Sequence, residues 1–353
     1  LEAGRFEREL DRSWRRTSYT GIVSAAHDAR VASEPEAEGT VDEPEVTGAA
    51  AEGARLPPRT DDLFAERQLR ERLSLWQELG GGADVGTFVH RILERVDFTT
   101  TDLAAALGAE VALAANRRPP ALTDDAAVVA ALQAAIETPL GSMTGGRALR
   151  DFGSRHRLNE LHFELPLAGG DDPTASVSIA AVAALLREHL PADDPLAGYA
   201  DRLDDPALAD TLRGYLSGSL DLVLRIPGAA GGRFAVIDHK TNWLGSGEEP
   251  LSAWHYRPAA MAEAMQRAHY PLQALLYTVA LHRYLRWRLR GYDPDEHLAG
   301  VMYLFLRGMS GADTPTVNGQ PCGVFAWRPP TGLVLALSDV LDGRRPTEEG
   351  RAA

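Results

Sequence analysis

Two hydrophobic periods divide this chain. In "ADVGTFVHRILERV" (83–96), Val85, Phe88, Val89, Ile92, Leu93 and Val96 recur at three- and four-residue steps, the stripe of an amphipathic helix. The same period predicts a helix over 61–79, stopped by Gly80–Gly82, and Ala-rich helices near 101–115 and 123–137. Further helices are predicted at 176–190 and 205–214, with a long one over about 256–290 that breaks near Tyr270–Pro271. The second pattern is that of strands. "RLNELHFELPL" (157–167), "SGSLDLVLRI" (217–226), "RFAVIDHK" (233–240) and "AGVMYLFLR" (299–307) read as strands, and "GVFAWRPP" (323–330) as an edge strand. This order of helices and strands predicts one mixed α/β domain over 61–345.

The ends read differently. Residues 1–24 form a polar, partly helical lead, expected to come from an upstream region. Seven acids and no Arg or Lys lie between Ser33 and Glu52, among Ala, Gly and Pro. Such a segment cannot bury enough apolar surface to offset its ordering entropy, so 25–60 is expected to be a disordered acidic linker. Residues 346–353 are expected to be a disordered tail. The chain starts at Leu1 rather than Met, which suggests a piece of something longer.

Composition narrows the function classes. The formal net charge of -14 argues against a general nucleic-acid coat and leaves room for a local basic groove. A single cysteine, Cys322, excludes an internal disulfide or a Cys-rich metal cluster, and a cytoplasmic setting fits best. No apolar run reaches the ~18 residues of a membrane span, and no signal peptide is visible.

One residue stands apart. Of 36 Lys+Arg, only Lys240 is a lysine. On "RFAVIDHK", Phe234, Val236, Asp238 and Lys240 share one face, and Ala235, Ile237 and His239 the other. A hairpin symmetric about Pro227–Gly232 sets Asp221 opposite Asp238, roughly 4.5–5.5 Å apart at Cβ. Two facing carboxylates repel, and one lysine cannot neutralise both. Either a divalent cation such as Mg²⁺ or Mn²⁺ completes the balance, or the group is a buried Asp–Lys ion pair without chemistry. Arg would serve a simple ion pair at least as well, so the lone Lys favours a site needing a compact point charge. His90 lies off the apolar stripe of its helix with Gly86 one turn before it, open either to a ligand or to solvent.

An acid followed by Asp-x-Lys on the next strand resembles the PD-(D/E)xK nuclease motif. With "GTFVHRILERVDF", "GSLDLVLRI", "FAVIDHKTNWLG", "YPLQALLYTVALHRYLRWRL" and "GVMYLFLRG" in order, the chain resembles the RecB-type C-terminal nuclease family from about Trp14 to Leu341. The resemblance implies a restriction-endonuclease-like core, a central mixed sheet flanked by helices, with a helical N-terminal insertion. It implies His90, Asp221, Asp238 and the His239 carbonyl as metal ligands, and Lys240, Asp238 and Asp221 as the catalytic group. Mg²⁺ is the implied cofactor, with Mn²⁺ or Ca²⁺ as alternative occupants. Gln273 and Tyr277 match a Q-x-x-x-Y pair expected to meet DNA. Glu160 is a candidate supporting carboxylate or ligand of a second metal. Arg283, Arg286 and Arg290 are candidates for phosphate steering, or else a solvated basic face. Asn242 and Trp243 are expected in a loop that touches DNA. The chain has no Gly-Lys-Ser/Thr loop, so no nucleotide is expected here. The implied partners are DNA, upstream helicase domains, and RecC-like and RecD-like subunits. The rival readings are a catalytically silent docking module and a stand-alone Cas4-like nuclease, whose four-cysteine cluster one cysteine cannot make.

Overall fold

A computed structural model describes residues 15–23 and 60–344, except 78, 81, 116–123, 171–176, 209–210, 229–230 and 248. The expected linker 25–60, save its last residue, and the tail 346–353 lie outside the described residues.

The strand patterns build a six-stranded sheet. Its members are β1 (Arg15–Thr17), β2 (Arg157–Leu167), β5 (Gly214–Ile226), β6 (Arg233–Lys240), β7 (Leu298–Phe305) and β10 (Val324–Trp327). Two short ribbons stand apart from it: β3 (Val177–Ser178) with β4 (Thr211–Leu212), and β8 (Thr316–Val317) with β9 (Gln320–Pro321). The path runs β1-β5-β6-β7-β10, and β2 also pairs with β5. β2, β5 and β6 are antiparallel neighbours, β6 and β7 are parallel, and β10 closes the sheet as an antiparallel edge. The sheet is therefore mixed, as the pattern and the resemblance implied.

Alternation sorts the strand residues onto two cores. Leu222, Leu224, Ala235, Ile237, Met302 and Leu304 face one layer of helices: α3 (Ala83–Arg95), α4 (Leu103–Ala115) and α5 (Asp125–Glu137). Val223, Val236, Val301, Tyr303 and Phe305 face the other. That second layer holds α1 (Tyr19–Val23), α6 (Ile179–His189), α7 (Tyr199–Arg202), α8 (Pro258–Arg267), α9 (Tyr270–Arg288) and α11 (Thr331–Leu341). The short α10 (Pro294–His297) leads into β7. The predicted break near Tyr270 is present: His269 adopts φ 56, and Pro271 sits in the first turn of α9, where its missing N–H costs nothing.

Three segments depart from expectation. Residues 15–23 belong to this domain: β1 runs parallel to the start of β5, and Tyr19, Ile22 and Val23 enter the main core. The helix from 61 stops early, because α2 (Thr60–Glu71) gives way to a bridge between Leu73 and Ser252. The N–H of Ser74 then donates to Leu251 O and that of Ala253 to Arg72 O, so tertiary pairing overrides helical period. Residues 205–214 are not one helix. Asp205 accepts the N–H of Ala207 on its side chain and that of Leu208 on its carbonyl, a local turn that competes with a helix.

Candidate active site and metal centre

The site lies where two paired strands part. Gly232, with φ 95, closes the β5–β6 turn, and a Cβ there would lie 2.6 Å from Ile226 O, so only glycine fits. From this turn the register runs Ile226 opposite Arg233 to Leu222 opposite Ile237, the symmetric hairpin expected from the sequence. The pairing then ends, one step before Asp221 and Asp238. β6 continues alongside β7 alone, with Asp238 opposite Tyr303 and Lys240 opposite Phe305.

Side chains replace the missing ladder. The Asp221 carboxylate accepts the backbone N–H of His239 at 2.9 Å. Its Oδ2 also lies 3.4 Å from His90 Nδ1 and 3.5 Å from His239 Nδ1. Burial pushes the Asp221 carboxyl up, but the His90 charge and the hydrogen bonds from His239 and His90 outweigh it and hold it well below its ordinary value. Asp238 takes a separate cation: Lys240 Nζ lies 2.9 Å from its Oδ2, with side chains 2% and 4% exposed. The expected residual repulsion is thus not what governs Asp221, because each carboxylate has its own positive or donating partner.

Lys240 also has an aromatic wall. Its Nζ lies 4.3 Å from the centroid of the Tyr270 ring and 5.7 Å from that of Tyr303, two rings that stack at 5.6 Å. Behind them, Tyr303 OH donates to Gln273 Oε1 at 2.9 Å and Gln273 Nε2 donates to Tyr277 OH at 3.2 Å. Gln273 and Tyr277 therefore do share one face, one turn apart, and both are buried. Burial raises the Tyr277 hydroxyl, and the Asp238 and Asp221 charges raise it further.

On the other side, His90, Glu94, Asn159, Glu160, Asp221 and His239 line a small pocket. Glu160, with φ 51, interrupts the β2–β5 pairing, which passes from Asn159 opposite Leu222 to Leu161 opposite Leu220 and leaves out Glu160 and Asp221. It accepts from Ser219 Oγ at 2.8 Å. Burial raises its carboxyl above the usual range; the Ser219 bond opposes this, and the Asp221 and Glu94 charges reinforce it.

Among the described residues, no three His, Cys, Asp or Glu side chains converge tightly enough to hold a cation as they stand. The main chain changes the count. His90 Nε2 lies 2.8 Å from the His239 carbonyl oxygen. Neighbouring donors on an octahedral cation with bonds of about 2.1 Å are about 3 Å apart, so this pair is already spaced as two ligands. The Asp221 carboxylate lies at the other nitrogen of His90 and on the His239 N–H, while Asp238, one residue before His239, is tied to Lys240; these are oxygen donors plus one imidazole, a chemistry that suits a divalent cation.

Other expected residues are placed elsewhere. Arg283, Arg286 and Arg290 do not form one helical face, because α9 ends at Arg288 and Arg290 lies beyond it. Arg283 is taken up by α11, through Ser338 and a 2.6 Å ion pair with Asp342. Arg286 and Arg290 are exposed. Asn242 is buried and accepts from Tyr256 and Tyr270, and the half-buried Trp243 packs against the core. The sequence reading missed Tyr270 and Arg307. The signal for Arg307 was a charge directly after an apolar strand.

The family model described as the PD-(D/E)XK nuclease superfamily matches residues 64–321. The chain is 48% identical over 348 residues to the RecBCD enzyme subunit RecB of Mycolicibacterium smegmatis, covering 98% of this chain and 31% of that protein. It is 47% identical over 355 residues to RecB of Mycobacterium tuberculosis, covering 98% and 30%. It is 31% identical over 347 residues to RecB of Escherichia coli, covering 97% and 24%. The chain spans about a third or less of the length of these curated relatives. No helix among the described residues is long and apolar enough to cross a membrane.

Proposed function

We propose, for a chain that belongs to the PD-(D/E)XK nuclease superfamily, the divalent-metal-dependent hydrolysis of DNA phosphodiester bonds. The observation that carries this reading is the parting of β5 and β6 at Asp221 and Asp238, with the Lys240 ammonium and the His90–His239 donor pair beside it. Mg²⁺ suits the oxygen-rich donors, and Mn²⁺ or Ca²⁺ would occupy the same place.

His90, Asp221, Asp238 and the His239 carbonyl would hold the ion. The ion would polarise the scissile phosphate and lower the pKa of an attacking water. Lys240 is held by Asp238 and by the Tyr270 ring, so its Nζ is aimed before substrate arrives. It orients the attacking water and offsets the negative charge that develops on the phosphate. Asp221 keeps His90 oriented through Nδ1. Glu160 supports this group or serves a second ion. Gln273 and Tyr277 position the strand next to Lys240, and Arg286 and Arg290 attract phosphate farther away.

Within a whole protein like its relatives, this chain would be the nuclease part of a RecB-like helicase–nuclease. Upstream motor domains and RecC-like and RecD-like subunits would feed it unwound DNA in the cytoplasm, during recombinational repair of double-strand breaks. The test is direct. Purified chain incubated with linear single-stranded DNA and Mg²⁺, without ATP, should give cleavage products, and EDTA or Asp221→Asn should stop it. Cutting that resists EDTA or requires ATP would refute the proposal.

A further inference from the structure

Arg307, just past the end of β7, is 1% exposed, yet none of its four hydrogen-bond acceptors is a carboxylate. All are main-chain carbonyls. Nε donates to Thr241 O at 2.6 Å, Nη1 to Trp76 O and Leu79 O at 2.9 Å each, and Nη2 to Gly80 O at 2.5 Å. The guanidinium carbon lies 5.8 Å from the centroid of the Trp76 ring and 5.3 Å from that of Trp243. The residue's own carbonyl accepts from Ser74 Oγ at 2.6 Å.

A buried charge is a poor way to gain stability, since well-packed apolar residues serve as well or better. A planar fork with five donors is needed only where several acceptors must be held in fixed relation. The acceptors identify what is held. Thr241 directly follows Lys240 and is two residues past His239. Gly80 comes three residues before α3, which carries His90. The candidate donor pair, His90 Nε2 and His239 O, thus joins two bodies whose approach both pass through one guanidinium. No β5 ladder fixes the end of β6 there, because that pairing has already stopped.

We propose that Arg307 is a positioning residue for the metal site, locking the approach of the His90 helix to the exit of the Asp-x-Lys strand. This rests on the metal-nuclease reading above. Lysine keeps the charge, but its compact ammonium has three donors on one nitrogen and cannot span the four carbonyls that the planar fork reaches, so the helix and strand lose their common anchor. A misplacement of about 1 Å far from the chemistry can cost on the order of a hundredfold in rate.

The test compares wild-type chain with Arg307→Lys, well below the melting temperature of each. Mg²⁺ binding is measured by calorimetry without DNA, and kcat and KM on linear single-stranded DNA. The expected result is Mg²⁺ affinity and kcat each down roughly tenfold or more, with KM for DNA within about twofold. Unchanged Mg²⁺ affinity and kcat with only a lower melting temperature would make Arg307 a fold staple and overturn the proposal. If Arg307→Lys does not fold, Arg307→Ala is assayed with methylguanidinium. Restored Mg²⁺ affinity supports positioning, and restored folding without restored affinity overturns it. A wild-type chain that neither binds Mg²⁺ nor cleaves would instead sink the nuclease reading itself.

Discussion

Replacing Asp238 with Asn tests whether the metal-free site is balanced or strained. Asp238 and Lys240 form a 2.9 Å ion pair with both side chains almost fully buried. Removing one partner of a buried pair leaves the other uncompensated and typically costs about 3–5 kcal/mol. The Tyr270 ring still faces the ammonium at 4.3 Å and offsets part of that loss, so the lower end, about 3 kcal/mol, is expected. The assay is thermal melting in EDTA and then in Mg²⁺. In EDTA, Asp238→Asn should melt several degrees below wild type, and Asp238→Asn with Lys240→Met should recover most of the difference. In Mg²⁺, wild type should gain about 2.7 kcal/mol at a hundredfold excess over Kd, and Asp238→Asn should gain much less. Asp238→Asn melting level with wild type in EDTA would mean that like-charge repulsion between Asp221 and Asp238 cancels the ion pair, against the division of partners described here.

Three further outcomes follow from single contacts. Lys240→Arg should leave little cleavage while keeping the fold, because a planar fork cannot take the compact place between the Asp238 carboxylate and the Tyr270 ring; near-normal cleavage would return Lys240 to a plain ion pair. Gly308→Ala should destabilise by about 1–3 kcal/mol, since its Cβ would lie 2.3 Å from Tyr256 Cβ, and an unchanged melting temperature would show that this contact yields. Burial, with the Arg286 and Arg283 charges, holds the His282 imidazole down to about 4, while its Nδ1 meets Tyr292 OH at 2.9 Å. The folded value lies below the unfolded 6.5, so this contribution is full above pH 6.5 and declines as pH falls toward 4, by about 3 kcal/mol at most. His282→Gln should flatten melting temperature against pH in that window, and an unchanged slope would refute the assignment.

Much of this was legible because period 2 is a strict code. The limits of β2 and β6, the faces of Asp238 and Lys240, and the register of the β5–β6 hairpin follow from alternation and one turn. β1 was not legible, because three residues such as Arg15–Thr17 carry no period and form a strand only when β5 is present to pair with them. The segment after Glu71 kept a helical pattern on paper, and lost it to Leu251–Ala253, distant in sequence. The partner of Arg283 was invisible for the same reason: Ser338 on α11 lies 55 residues away, and spacing on one helix cannot tell a phosphate contact from a packing contact. Asp221 could be placed opposite Asp238 but not aimed, since its carboxylate turns to the His239 N–H only because the strands part.

That parting has a chemical consequence. A ladder continued through Asp221 and Asp238 would leave every backbone group of β6 bonded to a neighbouring strand, with no carbonyl available to a ligand. Once the strands separate, each freed group must find a side chain or be left unsatisfied at a cost of about 1–3 kcal/mol. His239 N finds Asp221, Thr241 O finds Arg307, and Asn242 O and Leu244 N share the Tyr256 hydroxyl. His239 O finds His90 Nε2. Of these pairs, only the last sets an imidazole nitrogen, a common ligand of divalent cations, against a carbonyl oxygen. A divalent ion held there, as the proposed function requires, would take the place of one His90 proton and leave neither partner unsatisfied, whereas withdrawing Arg307 or Tyr256 would strand a buried carbonyl. Under the proposed function, the bond that completes the metal-free backbone would be the one exchanged for a metal, at His239 rather than elsewhere along the opened strand.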